Sequence, residues 1–178
     1  MLDFLESYLV KIDPILLGNY LGRTALILFV LVLQPGIFRR MGWVTSKNIF
    51  TKIVQYISRY RPQVGVCVYL FAIAHLMFVR IFPNWPNGLT LPYALFELFG
   101  LTSLILLTPL FLTANKFSYR FLGKKWKKLH RLVYVIVWLL FIHVALVGTW
   151  YLTYLILFTA ILEVISFIND RHRRNQKA

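Results

Sequence analysis

An all-α integral membrane bundle of about five transmembrane helices is the fold class this 178-residue sequence predicts, on three observations. Hydrophobic residues make up 59% of the chain and charged residues 15%, with a mean hydropathy of +0.68. One soluble domain could not hide that much apolar surface. Five apolar stretches, at about 20–38, 62–82, 91–113, 130–147 and 150–168, approach the roughly 20 residues a spanning helix needs. The breaks between them hold cations, Pro and Gly. The formal net charge of +14, taken alone, suggests a nucleic-acid partner, and the hydropathy excludes that reading.

The elements follow in order. Residues 1–18 carry three acids and no basic start, so they read as a short outer interfacial helix rather than a cleavable signal peptide. The first span ends at Phe38-Arg39-Arg40. Ile49, Ile53, Val54, Ile57 and Tyr60 then recur at helical spacing among polar residues, which predicts an amphipathic helix over 47–60 on the cytoplasmic surface; an ordered polar loop is the alternative. Pro62 opens the second span, as Pro suits a helix's first turn. Pro83, Trp85, Pro86 and Gly88 make a turn, and Pro92 restarts a helix. Gly148-Thr149-Trp150 leaves room only for a tight hairpin between the last two spans. The chain thus divides into a short outer segment (1–19), a transmembrane domain (20–168) and a basic tail (169–178).

The cations orient the bundle. Segment 39–61 has six, segment 116–131 has seven and the tail four, so seventeen of twenty fall on one face. Lys11, Arg23 and Arg80 lie on or near the other. By the positive-inside rule the basic face is cytoplasmic, with the N-terminus outside and the C-terminus inside. Trp85 and Trp150 mark the outer interface, Trp43 and Trp126 the inner.

Ionisable residues within spans are costly and so are functional candidates. His75 lies roughly 21 Å beyond Arg61 along a helix, and His143 roughly 20 Å beyond His130. Both sit at one level in the outer half, on two parallel helices. Two imidazoles so placed are what a bis-histidine b-type haem needs. Phe71, Phe78, Tyr134 and Phe141 are candidates to line its faces. The competing reading is that each histidine merely hydrogen-bonds between helices. The single cysteine, Cys67, excludes a disulfide framework and a cysteine-ligated metal cluster, and reads as a small buried apolar residue. No C-x-x-C-H motif is present, which excludes covalent haem attachment.

The remaining candidates carry alternatives. His130 and His143 are some 140° apart on an ideal helix, so they face different grooves. At His130's depth on span two stands Arg61, which could pair with a propionate or phosphate. The inner site is open between a second haem with an unusual sixth ligand, a flavin or quinone site, and a plain interfacial histidine. A haem in the outer half is about 20 Å from the cytoplasmic surface, so electrons from inside need a relay near His130, whereas electrons from quinol do not. Arg23 either binds a haem propionate or snorkels outward, and Arg80 leans to snorkelling. Glu97 caps a helix or pairs with an arginine, Glu163 pairs with the basic loop, and His172 is a solvated tail residue.

The run Leu122-Gly123-Lys124-Lys125-Trp126-Lys127-Lys128-Leu129-His130-Arg131-Leu132-Val133-Tyr134, followed by Ile142-His143, resembles the ferric-reductase-like transmembrane family. Two further pieces resemble its methionine sulfoxide reductase branch: Gly22-Arg23-Thr24-Ala25-Leu26, and Arg59-Tyr60-Arg61 leading through Gly65 and Phe71-Ala72 to His75-Leu76. The resemblance covers about Gly22 to Phe158. It implies a haem b electron-transfer subunit rather than a complete enzyme, with His75 and His143 as iron ligands and His130 serving an inner cofactor. It also implies a periplasmic molybdopterin sulfoxide reductase as acceptor, and quinol or a cytosolic flavin reductase acting through FMN as donor. Larger oxidase relatives have a second histidine where Arg61 stands. The branch has a further span before the Gly-Arg-Thr motif, which residues 1–18 do not supply. No NADPH or FAD domain follows the last span, so a nicotinamide is not the expected direct donor. A stand-alone ferric or quinol reductase-type cytochrome b, and a non-redox transporter or scaffold, are the competing functions.

Overall fold

A computed structural model describes residues 13–44, 48–84 and 94–176. Helix α1 (Pro14–Met41) starts where the Asp13 carboxylate accepts a hydrogen bond from the Ile15 amide at 2.9 Å, with Pro at its first position. It stops at Gly42, whose φ of 80° needs glycine. Helix α2 (Ile49–Leu76) starts at Asn48, whose side chain accepts from the Thr51 amide. It continues through a π-turn (Met77–Ile81) and a 3-10 turn (Phe82–Asn84). Helix α3 is Leu95–Leu112, and the short helices α4 (Lys116–Leu122) and α5 (Lys124–Leu129) follow, hinged at Gly123. A 3-10 turn (His130–Leu132) leads into α6 (Val133–Val147), and α7 (Trp150–Asn175) closes the chain. No strand occurs among the described residues. Among the described residues, five helical segments are long and apolar enough to cross a membrane.

The helices overrun the apolar stretches. A hydropathy window finds only the lipid-compatible part, while the polar ends stay helical. Arg39 and Arg40 lie in the last turn of α1, and His172, Arg173 and Arg174 in the last turn of α7, where cations favour the helix dipole. Helix α1 therefore runs unbroken across position 19, and α7 across position 168.

The segment expected as a separate surface helix over 47–60 is helical from Ile49, but it is one rod with the second span, and Pro62 lies inside it. Lys47 lies outside the described residues. Packing on α1 accounts for the difference. Phe50 meets Phe38 at 5.3 Å between ring centroids, Phe38 stacks on Trp43, and Arg39 Nη2 donates to Ser58 Oγ at 3.1 Å. Thr51 and Val54 are buried there. These contacts hold the segment against α1, and the interior proline is accepted. The outer helix expected within 1–18 and the turn at Trp85, Pro86, Gly88 and Pro92 lie outside the described residues, except that Pro14 already opens α1.

Two close helix pairs build the bundle, α1 with α2 and α3 with α6. Helix α7 packs on both α1 and α6, and α2 touches α3 more lightly. The core runs along this seam through Phe29, Leu33, Ile37, Ile136, Val137 and Ile156. Between the two pairs, at the end opposite Arg40, the helices leave a cavity.

Candidate functional site

His75 closes α2, and His143 stands one turn before the end of α6. Each ring is fixed by the neighbouring helix of its own pair. His75 Nδ1 donates to the carbonyl of Gly18 at 2.7 Å, and His143 Nδ1 donates to the carbonyl of Phe96 at 2.6 Å. A carbonyl can only accept, so a neutral ring in either place carries its proton on Nδ1 and its lone pair on Nε2. Both histidines line one cavity of about 350 Å³.

The walls are apolar: Leu26 and Phe29 from α1, Val68 and Ala72 from α2, Leu104 and Leu107 from α3, Leu140 and Val144 from α6. Small residues make the room. A Cβ on Gly22 would stand 2.7 Å from His75 Nδ1, and one on Gly100 would stand 2.8 Å from His143 Nδ1. The expected aromatic lining of Phe71, Phe78, Tyr134 and Phe141 is not what surrounds the cavity; Phe29 and Phe96 are its aromatics. Tyr134 is engaged elsewhere by Arg40, and Phe78 packs on Phe82.

The rim is polar, with Asn19, Arg23, Arg80, Glu97 and Thr149. Arg23 lies near the faces of Tyr20 and Tyr151, with its guanidinium carbon 5.7 and 6.0 Å from the ring centroids. Arg80 turns inward rather than only snorkelling: its Nε is 3.6 Å from Glu97 Oε1. The π-turn explains this. One extra residue in a turn sets later side chains back by one position, so Arg80, five residues after His75, stands where a fourth would. Glu97 does both things expected of it, since its Oε2 also accepts from the Ala94 amide.

Of the residues singled out by sequence, His75, His143, Arg23, Arg80 and Glu97 thus share one cavity, whereas Arg61 and His130 lie toward the cation-rich end. His130 Nε2 is 3.1 Å from Thr113 Oγ1, and its ring stacks on Trp126 at 3.8 Å. Trp126 in turn donates to the Thr113 carbonyl. The Arg61 guanidinium approaches Gly36 beside that of Arg40.

A polar cluster there was not foreseen. Arg40 donates to Ser166 Oγ at 2.8 Å and Tyr134 Oη at 3.2 Å, lies 3.4 Å from Glu163 Oε1, and covers the Phe167 ring. Glu163 therefore pairs with the end of α1 and not with the 116–131 loop. Its position one and two turns from Ser166 and Asn169 on α7 was the available signal. Cys67, expected buried, faces outward from the bundle, because Val68 and not its neighbour points to the core.

Fold and site define a helical membrane-type bundle in which two backbone-locked imidazoles flank one apolar cavity. The chain is similar to proteins named protein-methionine-sulfoxide reductase heme-binding subunit MsrQ. It is 36% identical over 81 residues to that of Brucella anthropi, covering 43% of this chain and 37% of the relative. It is 35% identical over 85 residues to that of Rhizobium meliloti, covering 44% and 38%, and 34% identical over 84 residues to that of Brucella ovis, covering 43% and 37%. The match therefore spans well under half the length of these relatives. No family model and no solved structure matches the chain.

Proposed function

We propose that the protein is a haem b membrane electron-transfer subunit in which His75 and His143 would hold the iron. The observation that carries the reading is the pair of imidazoles with Nδ1 committed to backbone carbonyls, both lining one cavity that Gly22 and Gly100 keep clear. The donor set fits the group. Among the described residues no three His, Cys, Asp or Glu side chains converge, so the site offers two imidazoles on one cavity rather than the three or four ligands of a zinc centre. That favours a planar iron macrocycle over a metal path, and the name of the relatives supports it. A b-type haem supplies one-electron chemistry at a potential set by its ligands and surroundings. The chain's own residues hold the ligand rings, exclude water with Leu26, Phe29, Leu104 and Val144, and present Arg23 and Arg80 to carboxylates at the rim.

The wider assignment extends the family resemblance of the sequence, and the relatives' name supports only its link to methionine sulfoxide reduction. Electrons leave toward a periplasmic molybdopterin methionine sulfoxide reductase (MsrP-like) and enter from quinol or a cytosolic flavin reductase. A cleft of about 300 Å³ lined by Tyr119, Arg120, Gly123, Lys124 and Lys127 at the cation-rich end supports an anionic donor such as FMN on that side. Arg61 and His130, both toward that end, are the candidates for an inner cofactor, whether a second haem, a flavin or a quinone.

Reduced-minus-oxidised spectra of the purified protein test the reading. A b-type signal is expected, lost in His75→Ala and in His143→Ala and kept in His172→Ala. Absence of any haem absorbance after expression with ample haem would overturn it.

A further inference from the structure

The two histidine sites are built alike on unrelated stretches of sequence. On α1 the carbonyl of Gly18 accepts from His75 and the residue one turn later is Gly22; on α3 the carbonyl of Phe96 accepts from His143 and the residue one turn later is Gly100. The spacing has a geometric cause. Within a helix the carbonyl of residue i already receives the amide of residue i+4. A second donor must approach from the side, over the backbone of residue i+4. Each Cα–Cβ bond tilts toward the helix N-terminus, so a Cβ at i+4 would project into that approach. At Gly22 it would lie 2.7, 2.9 and 3.0 Å from His75 Nδ1, Cε1 and Cγ. At Gly100 it would lie 2.8 Å from both Nδ1 and Cε1 of His143. Gly65, on α2, would meet nothing within 4 Å, so close approach is not a general property of glycines in this bundle.

We propose that Gly22 and Gly100 are positioning residues: each opens a helical carbonyl, that of Gly18 or Phe96, to one imidazole, and so fixes that ring's rotation, its tautomer and the electron density at its Nε2. The inference deepens the haem reading and rests on it for its redox consequence. A carbonyl drawing on the Nδ1 proton makes Nε2 a stronger donor, the outer-shell effect known to raise ligand basicity and tune bound iron. Because the device occurs twice, it would act on both histidines in the same direction, favouring the oxidised state of a bound iron. Both glycines line the cavity, and the role proposed for each runs through the histidine it admits.

The test uses the full chain in detergent micelles with ¹⁵N-labelled histidine. Without haem, the rings of His75 and His143 are expected to show the Nδ1–H tautomer. Gly22→Ala is expected to shift the His75 signals and leave those of His143, Gly100→Ala the reverse, and Gly65→Ala neither. With haem, each of the two variants is expected to raise the midpoint potential and alter the low-spin electron paramagnetic resonance signature, with Gly65→Ala unchanged. The opposite tautomer in the wild-type protein would overturn the proposal without any variant needing to fold. Wild-type ring signals, potential and spectrum in folded Gly22→Ala and Gly100→Ala would also overturn it. A wild-type chain that takes up no haem would instead sink the functional reading, and the ring signals of the haem-free chain would still decide the positioning role.

Discussion

Glu163 is 4% exposed on α7, and its Oε2 is buried without a hydrogen-bond partner among the described residues. What keeps the carboxylate tolerable is Arg40, which reaches it from α1 with side-chain exposure of 16%. Breaking such a buried pair from one side leaves the other charge stranded, and that costs more than losing the attraction. Glu163→Ala is therefore expected to destabilise the bundle by about 3–5 kcal/mol, read as reduced resistance to denaturant in detergent. Replacing both partners, Arg40→Met with Glu163→Leu, is expected to recover most of that loss. A double variant as weak as the single one would show that the pair contributes net stability. The cluster was opaque in the sequence because Arg40 and Glu163 are 123 positions apart and each sits at a span's end, where charges are ordinary. His75 and His143 were legible because a fixed rise per residue converts counting into depth. Gly22 and Gly100 were visible as letters but not as requirements. Their role depends on which carbonyl a ring from another helix approaches.

Element boundaries were legible at Gly148, passed over at Asp13-Pro14 and Gly42 because a hydropathy window does not register caps, and misleading where a breaker is overruled by packing. Pro62 is the instructive case. Its missing amide frees the Ser58 carbonyl, and read locally it starts a new helix. The contacts of Phe50, Thr51, Val54 and Ser58 with α1 keep the preceding turns in line instead. The π-turn after His75 is the reverse case, since no Gly or Pro announces it and it still re-aims Arg80. Spin labels at Ile49 and Leu70, both exposed, measure the outcome on a Cys67→Ser background. One continuous rod places these positions roughly 32 Å apart. A surface helix turning into the membrane at Pro62 would bring them to roughly 23 Å. A dominant short distance would contradict a single helix.

At the scale of the whole molecule, charge and cavity occupy opposite ends. The described cations of 39–61, 116–131 and the last turns of α7 gather at one end, as the contacts of Arg39 with Ser58 and Arg40 with Glu163 require, and a Cβ on Gly42 would collide with Arg173. His75 and His143 lie at the other end, because α2 and α6 run away from the cations. If the basic end is cytoplasmic, the proposed haem lies near the periplasmic side, where an acceptor can reach it. The seventeen-to-three bias then predicts how robust the orientation is. Changing Lys124, Lys125, Lys127 and Lys128 to Gln leaves thirteen against three, still a strong asymmetry. A fluorescent protein that matures only in the cytoplasm, fused after the last residue, is expected to glow in both the wild type and this variant. A periplasmic phosphatase fused at the same place is expected to stay inactive in both. The same four substitutions remove two cations from the cleft at Arg120, Lys124 and Lys127, so an anionic cytosolic donor should dock more weakly while the orientation holds. Reduction driven by a flavin reductase would then fall and lose much of its salt dependence, whereas reduction by quinol would not. Equal losses by both routes would mean that the basic end acts on the whole bundle rather than on docking. An active phosphatase in the wild type would invert the topology and move the cavity to the cytoplasmic half, away from a periplasmic acceptor.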